Sequence, residues 1–347
     1  MLAAVYHGPN DLRVEQVPVP AIGAGEMLVK VHSASICGTD LRIWHGNHRM
    51  YPDGTVRIPG HEVVGRIAQL SPGLAGYHVG QMVFCAPNTG CGHCRQCIRG
   101  QNNLCADYEA LGVTVDGGFA EFVRISASSV RQGNVIPLDD SVDPAVAALL
   151  EPFACVVRGQ NALSIRPGEI VLVLGAGPIG VMHTKLAKAR GAGRVIVSEP
   201  LPARRGQAAV MGADRVVDPV GEDLIAAVMD QSSGRGADVV VVAAPAHAAQ
   251  ETAIQVAAIS GRINFFGGLP KDRPSITLDS NAVHYKELTV TGTTACSTAD
   301  CRQAVDIVSA GIVDLSPLIS RRFPLGQAPE AFAAAEDRDS LKVVLQP

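Results

Sequence analysis

Apolar and polar residues alternate over short stretches in the first 150 residues, and each stretch ends at a Gly, Pro or Asn turn. Alternation with a period of two predicts strands that bury one face. The predicted strands cover residues 3–6, 27–32, 62–70, 81–86 and 118–125. The pattern therefore predicts a compact β-rich or barrel-like unit at the start of the chain.

The pattern changes near Asp143, where Asp143 and Pro144 suit the N-cap and first position of a helix running to Leu150. From there on, continuous apolar runs such as VVVV at 239–242 alternate with helical patterns. Continuous apolar strands are typical of a sheet covered on both faces, so this part predicts a parallel, doubly wound sheet. The predicted strands are 170–174, 195–198, 215–217, 239–243, 262–266 and 288–291, and the predicted helices lie near 178–190, 202–211, 222–230 and 247–259. A helix near 298–310 and a strand at 341–345 follow.

Length and composition restrict the class of protein. The 347 residues suggest two domains, and an apolar fraction of 47% excludes intrinsic disorder. A net charge of −4 argues against nucleic-acid binding. No secretory leader or membrane-spanning run is seen, so a cytoplasmic protein without membrane association is expected. In that setting nine cysteines, an odd number, indicate metal ligands or buried thiols rather than disulfides.

A glycine loop, GAGPIG at 175–180, follows the strand at 170–174 and opens the next helix. Gly175 allows a tight turn, Gly177 lets backbone amides approach a pyrophosphate, and Gly180 lets the helix pack closely. Glu199 ends the next strand, where an acidic residue binds the ribose hydroxyls of NAD. We therefore predict dinucleotide binding and favour NAD over NADP, although Arg204 and Arg205 are of the type that reads a 2′-phosphate.

Four cysteines crowd into fifteen residues at Cys91, Cys94, Cys97 and Cys105. Four thiolates at such short spacing can wrap a tetrahedral zinc ion and leave no position open for substrate, so the predicted site is structural. A redox pair or chance clustering would not need four cysteines. His93 lies inside the loop but is surplus to a complete ligand set.

Four further residues are candidate ligands of a second metal. Cys37, His61, Glu62 and Glu151 are each uninformative alone, and no spacing rule links them. Beside a predicted dinucleotide fold, however, they form the mixed sulfur, nitrogen and oxygen set that catalytic zinc uses.

Five motifs together carry a resemblance to a known family: CGTD at 37–40, GHE at 60–62, the four-cysteine lobe, EP at 151–152 and GAGPIG. The chain resembles the zinc-dependent medium-chain alcohol dehydrogenases over essentially its full length, and most of all their polyol (sorbitol/L-iditol) and threonine dehydrogenase branch. The resemblance implies a GroES-like catalytic domain (1–152 and 294–347), a Rossmann NAD-binding domain (153–293) and an active site in the cleft. It also implies two zinc ions per chain, a small alcohol substrate and a homo-oligomer, either dimer or tetramer.

The resemblance also assigns roles to residues. Cys37 and His61 correspond to zinc ligands, and Glu62 and Glu151 to carboxylates that bind zinc directly or through its water. Thr39 corresponds to the hydroxyl that touches the reacting alcohol oxygen and relays its proton, and Asp40 to the acid that orients the histidine. The implied nucleotide contacts are Gly175, Gly177, Pro178, Ile179, Gly180, Glu199, Arg204, Gly267, Gly268, Leu269, Thr293 and Thr294.

Two positions depart from the family pattern. Arg42 stands where the family often has a proton-relaying histidine, so either ribose hydroxyls and water complete the relay, or His45 or His48 does. The stretch 292–296 lacks the arginine with which sorbitol enzymes hold substrate hydroxyls, which speaks against sorbitol itself. Trp44, the single tryptophan, either walls the substrate pocket or packs in the core.

Three functions are consistent with these motifs. The first is an NAD-dependent dehydrogenase that oxidises a secondary alcohol of a polyol or sugar-like substrate to a ketone. The second is an L-threonine 3-dehydrogenase-like activity, which shares every motif. The third, a zinc-free quinone reductase-like or non-catalytic nucleotide-binding protein, predicts loss of Cys37, His61 or Glu151, and all three are present.

Overall fold

A computed structural model describes the whole chain, residues 1–347, and its internal contacts divide it into two compact units. Unit 1 comprises residues 1–154 and 296–347, and unit 2 comprises residues 155–295. The first boundary between the units, after Ala154, falls within the helix Leu150–Asn161, and the second, after Ala295, falls in a loop. None of the helices combines the length and apolar character that crossing a membrane requires.

The N-terminal part of unit 1 is mainly β-structure, as its alternating pattern predicts. On the strand Met27–Ile36, Met27, Val29 and Val31 are buried and Lys30 between them is exposed. The elements are β1 (Leu2–Gly8), β2 (Asp11–Gln16), β3 (Met27–Ile36), α1 (Gly38–Trp44), β4 (Glu62–Leu70), β5 (Met82–Cys85), β6 (Asn88–Thr89), α2 (Arg95–Ile98), β7 (Glu109–Ala110), β8 (Phe122–Ile125), α3 (Ala127–Arg131), β9 (Val135–Pro137), α4 (Pro144–Ala147) and α5 (Leu150–Asn161).

Unit 2 is a parallel sheet of six strands connected by helices, which confirms the doubly wound fold. Every residue of β10 is buried, because helices cover both faces of the sheet. The strand order is β12-β11-β10-β13-β14-β15, so the order reverses beside β10. The elements are β10 (Ile170–Leu174), α6 (Pro178–Ala189), β11 (Arg194–Ser198), α7 (Pro202–Val210), β12 (Arg215–Val217), α8 (Leu224–Gln231), β13 (Ala237–Val242), α9 (His247–Val256), β14 (Ala257–Phe265), α10 (Ser280–Tyr285) and β15 (Thr289–Gly292).

The C-terminal segment returns to unit 1 and completes its main sheet. Its elements are α11 (Thr298–Ser309), β16 (Ile319–Pro324), α12 (Ala328–Glu336) and β17 (Lys342–Gln346). Strand β17 pairs antiparallel with β3, with Val344 opposite Ser35, and gives the order β16-β17-β3-β4-β5-β9 with β8 also on β3. Phe332 of α12 stacks edge-on against Phe119 at 5.7 Å between ring centroids, so both chain ends share one core.

The predicted helix at 247–259 is wrong at its end, because α9 stops at Val256 and β14 begins at Ala257. Residues 257–260 have an apolar pattern compatible with a helix, but Ser260 adopts a φ of 57°, which a right-handed helix does not allow. Sheet pairing of Ala257 with Ala237 takes precedence over the local pattern. The prediction also missed β2, β6, β7, β9, β16, α1, α2, α3, α5, α10 and α12.

Candidate active site and zinc centres

Cys37 caps the short helix α1 at the end of strand β3. Its thiol accepts a hydrogen bond from the Thr39 amide at 3.2 Å, and the Asp40 carboxylate accepts one from the Cys37 amide at 2.9 Å. This reciprocal capping box satisfies amides that a helix start leaves unpaired. The CGTD motif therefore fixes the Cys37 sulfur by local backbone geometry.

His61 directly precedes strand β4 and points its two nitrogens at Cys37 and Asp40. Nε2 lies 3.1 Å from Cys37 Sγ, and Nδ1 lies 3.3 Å from Asp40 Oδ1. Asp40 is fully buried, and its Oδ1 completes no hydrogen bond. Burial works against the charged imidazole, but the neighbouring Cys37 and Asp40 raise the pKa of His61 well above its usual value. The chain thus gathers negative charge around this imidazole.

Glu62 is fully buried and forms an ion pair with Lys342 of β17. Lys342 Nζ lies 2.5 Å from Glu62 Oε2, and Ser35 Oγ donates to the same oxygen. Burial raises the pKa of Glu62 to about 7, with Lys342 opposing and the nearby Glu151 carboxylate adding to the increase. The other oxygen, Oε1, has no hydrogen-bond partner. A buried carboxylate oxygen without a donor is an expected feature of a cation site.

The ligand atoms of Cys37, His61 and Glu62 all lie within 4.8 Å of one another. Glu151 is not part of this group, although it is buried and its charge acts on Glu62. Instead its Oε1 lies 3.6 Å from Cys296 Sγ. The structure therefore brings three of the four candidate residues together and places the fourth beside a thiol.

Thr39 and Arg42 lie one turn apart on α1, and Arg42 Nη2 donates to Thr39 Oγ1 at 3.0 Å. His45 has both nitrogens engaged elsewhere: Nε2 lies 2.5 Å from Glu336 Oε1, and Nδ1 lies 2.9 Å from Asn10 Oδ1. His48 Nδ1 accepts from the Met50 amide at 3.3 Å. The residue bonded to the candidate relay hydroxyl is thus Arg42, whose guanidinium cannot accept a proton. Trp44, the last residue of α1, stacks edge-on against the core residue Phe332 at 5.7 Å between ring centroids.

The Cys37, His61 and Glu62 group fits zinc in its chemistry. A thiolate, an imidazole and a carboxylate are all zinc ligands, and three protein ligands with one open position are typical of catalytic sites. His61 presents Nε2 to the group and keeps Nδ1 beside Asp40, which is how zinc-binding histidines are usually oriented.

The four-cysteine lobe fits zinc in its dimensions. Cys91 and Cys97 sulfurs lie 4.0 Å apart, and Cys94 and Cys105 sulfurs lie 3.8 Å apart. A tetrahedron with zinc–sulfur bonds of about 2.3 Å has edges of about 3.8 Å, so this spacing matches one ion. His93 is exposed, with Nδ1 3.1 Å from the Cys91 carbonyl, and stays outside the set.

Backbone amides tune the thiols of the lobe. The amides of residues 93 and 94 lower the pKa of Cys91, and the Cys97 amide lowers the pKa of Cys94 to about 7, whereas burial raises the pKa of Cys97. Lowered values favour the thiolates that metals bind. Gly90 is required here because a Cβ at this position would overlap the Cys97 sulfur.

The glycine loop in unit 2 joins β10 to α6 and has the geometry of a phosphate cradle. Gly175 has a φ of 105°, and a Cβ on Gly180 would overlap the Gly175 carbonyl oxygen. Gly177 caps α6, followed by Pro178 at its first position and by Ile179, so unpaired amides of the first turn point out of the helix start. The loop lies at the carboxyl end of β10, where the strand order reverses.

Glu199 follows β11 and is 4% exposed. Its Oε2 accepts from the Ala176 amide at 2.7 Å, and its Oε1 accepts from the Leu201 amide at 3.0 Å, which ties the acid to the glycine loop. Arg204 Nη1 lies 3.6 Å from the position of a Cβ on Gly177, so this guanidinium lies over the loop. Arg205 forms an ion pair with Asp218 at 3.0 Å. Of the two arginines, Arg204 is therefore the one beside the phosphate cradle.

The remaining nucleotide candidates follow the carboxyl ends of β14 and β15, on the same edge of the sheet. Gly267 packs against the backbone of Ala244, since a Cβ placed on Gly267 would lie 2.9 Å from the Ala244 carbonyl group. Gly268 and Leu269 follow it in the chain. Thr293 Oγ1 donates to Asn264 Oδ1 at 3.1 Å, and Thr294 follows it. The twelve predicted nucleotide residues thus share the carboxyl edge of one sheet.

Sequence reasoning missed Lys342, Ser35 and Cys296 as neighbours of the candidate ligands. The only signal for Lys342 was a charge next to the apolar run VVL, and its partner Glu62 lies 280 residues away in the chain. Ser35 and Cys296 carried no signal at all, because each is set opposite its acid only by the folded chain.

Two family models match the chain. The alcohol dehydrogenase GroES-like domain matches residues 23–137, and the zinc-binding dehydrogenase model matches residues 178–310.

Individual proteins match over most of the chain. The L-threonine 3-dehydrogenase of Pyrococcus horikoshii is 36% identical over 89% of this chain and 87% of its own length. The L-galactonate-5-dehydrogenase of Escherichia coli K12 is 32% identical over 99% of this chain and 98% of its own. A structure described as a zinc-binding dehydrogenase of Sinorhizobium meliloti 1021 bound to NADP superposes with a TM-score of 0.92 at 30% identity, covering 100% of this chain and 99% of that one.

Proposed function

Because the chain belongs to the zinc-binding medium-chain alcohol dehydrogenase family, we propose that it oxidises a secondary alcohol of a polyol or sugar-like compound to a ketone, with NAD as hydride acceptor. It is an NAD(P)-dependent oxidoreductase of CH–OH donors. The convergence of Cys37, His61 and Glu62 within 4.8 Å carries the proposal, because it is a donor set that fits catalytic zinc.

The residues around this site divide the chemical work. Cys37 and His61 would hold the metal, Asp40 orients His61, and Glu62 would add a carboxylate on the metal or its water. Glu151, which lies outside this group but acts electrostatically on Glu62, would add a second carboxylate there. When bound, zinc polarises the substrate hydroxyl as a Lewis acid, and the nicotinamide accepts the hydride. Thr39 hydrogen-bonds the reacting oxygen and takes up its proton. Because Arg42 cannot accept a proton, Thr39 would pass its own proton to water or to a ribose hydroxyl of the bound cofactor.

We also propose the remaining assignments. The four cysteines of the lobe hold a second, structural zinc ion. Residues 1–152 and 294–347 form the catalytic domain, and residues 153–293 bind the dinucleotide. The exposed edge strand β15, where Val290 is 37% exposed, supports a homo-oligomer. The absence of disulfides among the nine cysteines supports a cytoplasmic location.

A second candidate is L-threonine 3-dehydrogenase activity. It is favoured by the 36% identity to the Pyrococcus horikoshii enzyme, which exceeds the 32% identity to the L-galactonate enzyme. Both reactions oxidise a secondary alcohol with the same metal and cofactor sites, so the geometry of the ligands does not separate them.

A panel of substrates tests the proposed function. Purified zinc-loaded protein should produce NADH, measured at 340 nm, with at least one member of a set of polyols, aldonates and sugar phosphates, and less well with L-threonine. Exclusive oxidation of L-threonine would transfer the assignment to the second candidate. No NADH with any alcohol would refute both.

Replacing Glu199 with glutamine tests the cofactor preference. Removing the negative charge weakens the hydrogen bonds to the ribose and removes the repulsion of a 2′-phosphate, while the side chain keeps its size. We expect the ratio of kcat/KM for NAD to kcat/KM for NADP to fall about 10- to 100-fold. Glu222→Gln, the same charge change at an exposed acid of unit 2, should leave the ratio unchanged. An unaltered ratio in Glu199→Gln would show that this acid does not select the cofactor.

A further inference from the structure

The side chain of Arg42 is positioned by helix α1 beside the candidate relay hydroxyl. Residues three apart lie on one face of a helix, and Arg42 Nη2 donates to Thr39 Oγ1 at 3.0 Å. Thr39 Oγ1 accepts from Arg42 with one of its two lone pairs, so the other lone pair can accept the proton of the reacting hydroxyl while the Thr39 proton passes to the next acceptor. The guanidinium therefore lies within one hydrogen bond of the group that touches the substrate.

The charge of Arg42 is not neutralised within the protein. No carboxylate lies within ion-pair distance of it. The acid nearest along the chain, Asp40, is fully buried and directed at the Cys37 amide and His61. Of the two acids on α12, the helix that contacts α1, Glu336 is paired with His45 and Glu330 forms no ion pair. Arg42 is exposed and four of its five N–H donors have no acceptor in the chain.

From this geometry we infer that the substrate is an anionic secondary alcohol, with a carboxylate a few bonds from the reacting hydroxyl, and that Arg42 binds that carboxylate. A guanidinium binds a carboxylate through two parallel hydrogen bonds, and it keeps donors free for this after bonding Thr39. The inference rests on the proposed function and narrows it: aldonates and 2-amino-3-hydroxy acids carry the required group, and neutral polyols do not.

Pairs of substrates that differ only in a carboxylate distinguish carboxylate binding by Arg42 from a general effect of Arg42 on the reaction. Each pair consists of an aldonate and the alditol of the same configuration, which differ only in a terminal carboxylate. Wild-type kcat/KM should favour the aldonate at least 10-fold. Arg42→Gln should reduce kcat/KM for the aldonate and for L-threonine about 10- to 100-fold and change the value for the alditol less than about 3-fold. Arg42→Lys keeps the positive charge but loses the planar guanidinium that forms two parallel hydrogen bonds, so it should retain part of the preference for the aldonate over the alditol.

The matched control is Arg49→Gln, which removes an exposed arginine that likewise has no ion pair, seven residues further along the chain. It should leave all these ratios unchanged. Equal effects of Arg42→Gln on aldonate and alditol would overturn the inference while leaving the dehydrogenase function intact. A rise confined to the KM for NAD would also overturn it, by assigning Arg42 to the dinucleotide.

A binding measurement tests Arg42 without catalysis. Trp44, the single tryptophan, lies two residues from Arg42, so its fluorescence can report binding of 2-methoxypropionate, a carboxylate whose alcohol is blocked. Wild-type and Arg49→Gln protein should show a saturable change that the methyl ester of the same acid does not give, and Arg42→Gln should lose it. An unchanged titration in Arg42→Gln would overturn the inference. Because no oxidation is involved, this result is separate from failure of the proposed function in the substrate panel.

Discussion

Replacing Cys37 with serine is expected to remove one of two zinc ions per chain and to lower kcat at least about 1000-fold. The Cys37 sulfur lies 3.1 Å from His61 Nε2 and is fixed by the capping box of α1, so serine keeps the helix start but loses the thiolate ligand. Lewis-acid activation contributes several kcal/mol to such reactions, and about 4 kcal/mol corresponds to a 1000-fold change in rate.

Metal analysis by mass spectrometry, together with NADH production, measures both effects. The corresponding variant at the four-cysteine lobe is Gly90→Ala, whose new methyl group would overlap the Cys97 sulfur. It should also reduce zinc from two ions to one, but with a lower melting temperature and a smaller loss of kcat, because the lobe is structural. His93→Ala is the matched control in the same loop and should retain both ions. A wild-type protein with one zinc ion, or a Cys37→Ser protein with two, contradicts the assignment.

The fold was predictable where local pattern and tertiary packing agree. Strands β10, β11 and β13 of unit 2 are buried along almost their whole length, so their continuous apolar runs identified them, and the loop after β10 was identified by its glycines. Prediction was wrong at the end of α9, because pairing of Ala257 with Ala237 is a contact between distant residues that a local apolar pattern does not reveal. Short elements such as β2 and α1 were missed because they span too few residues to show a period.

The candidate site was predictable only in its ligand types. Cys37, His61 and Glu62 stand in motifs that sequence can show, and their proximity follows from the pairing of β3 with β4. The sequence could not show which charged side chains contact these ligands and their neighbours. Lys342 reaches Glu62 from the last strand of the chain, and Arg42 bonds Thr39 through a side-chain rotamer. Both depend on tertiary structure rather than on spacing, and both decide how charge is balanced at the site.

Replacing Lys342 with methionine is expected to lower the free energy of unfolding by about 3–5 kcal/mol, because it leaves the Glu62 charge buried and unpaired. Lys342 is 3% exposed and Glu62 is fully buried. Although burial opposes the ammonium ion, the Glu62 carboxylate raises the pKa of Lys342, so the lysine is charged at neutral pH. Because burial raises the pKa of Glu62 to about 7, the pair is fully ionised only above that pH, and the variants are compared at about pH 8. The lysine also donates to the Ile36 carbonyl at 2.9 Å, a bond that methionine loses. Denaturation by urea, followed by circular dichroism, measures the change.

The double variant Glu62→Gln with Lys342→Met separates lost packing from unpaired charge. If the charge is the cause, neutralising Glu62 in the same protein should recover most of the lost stability, since replacing both partners of a buried ion pair is often close to neutral. The single variant should also be destabilised less with zinc bound than after chelation, each compared with wild type in the same state, because a cation near Glu62 partly replaces the ammonium. Equal destabilisation in the single and double variants would mean that Lys342 stabilises unit 1 through its packing and its bond to Ile36. It would exclude an unpaired charge on Glu62 as the cause of the lost stability.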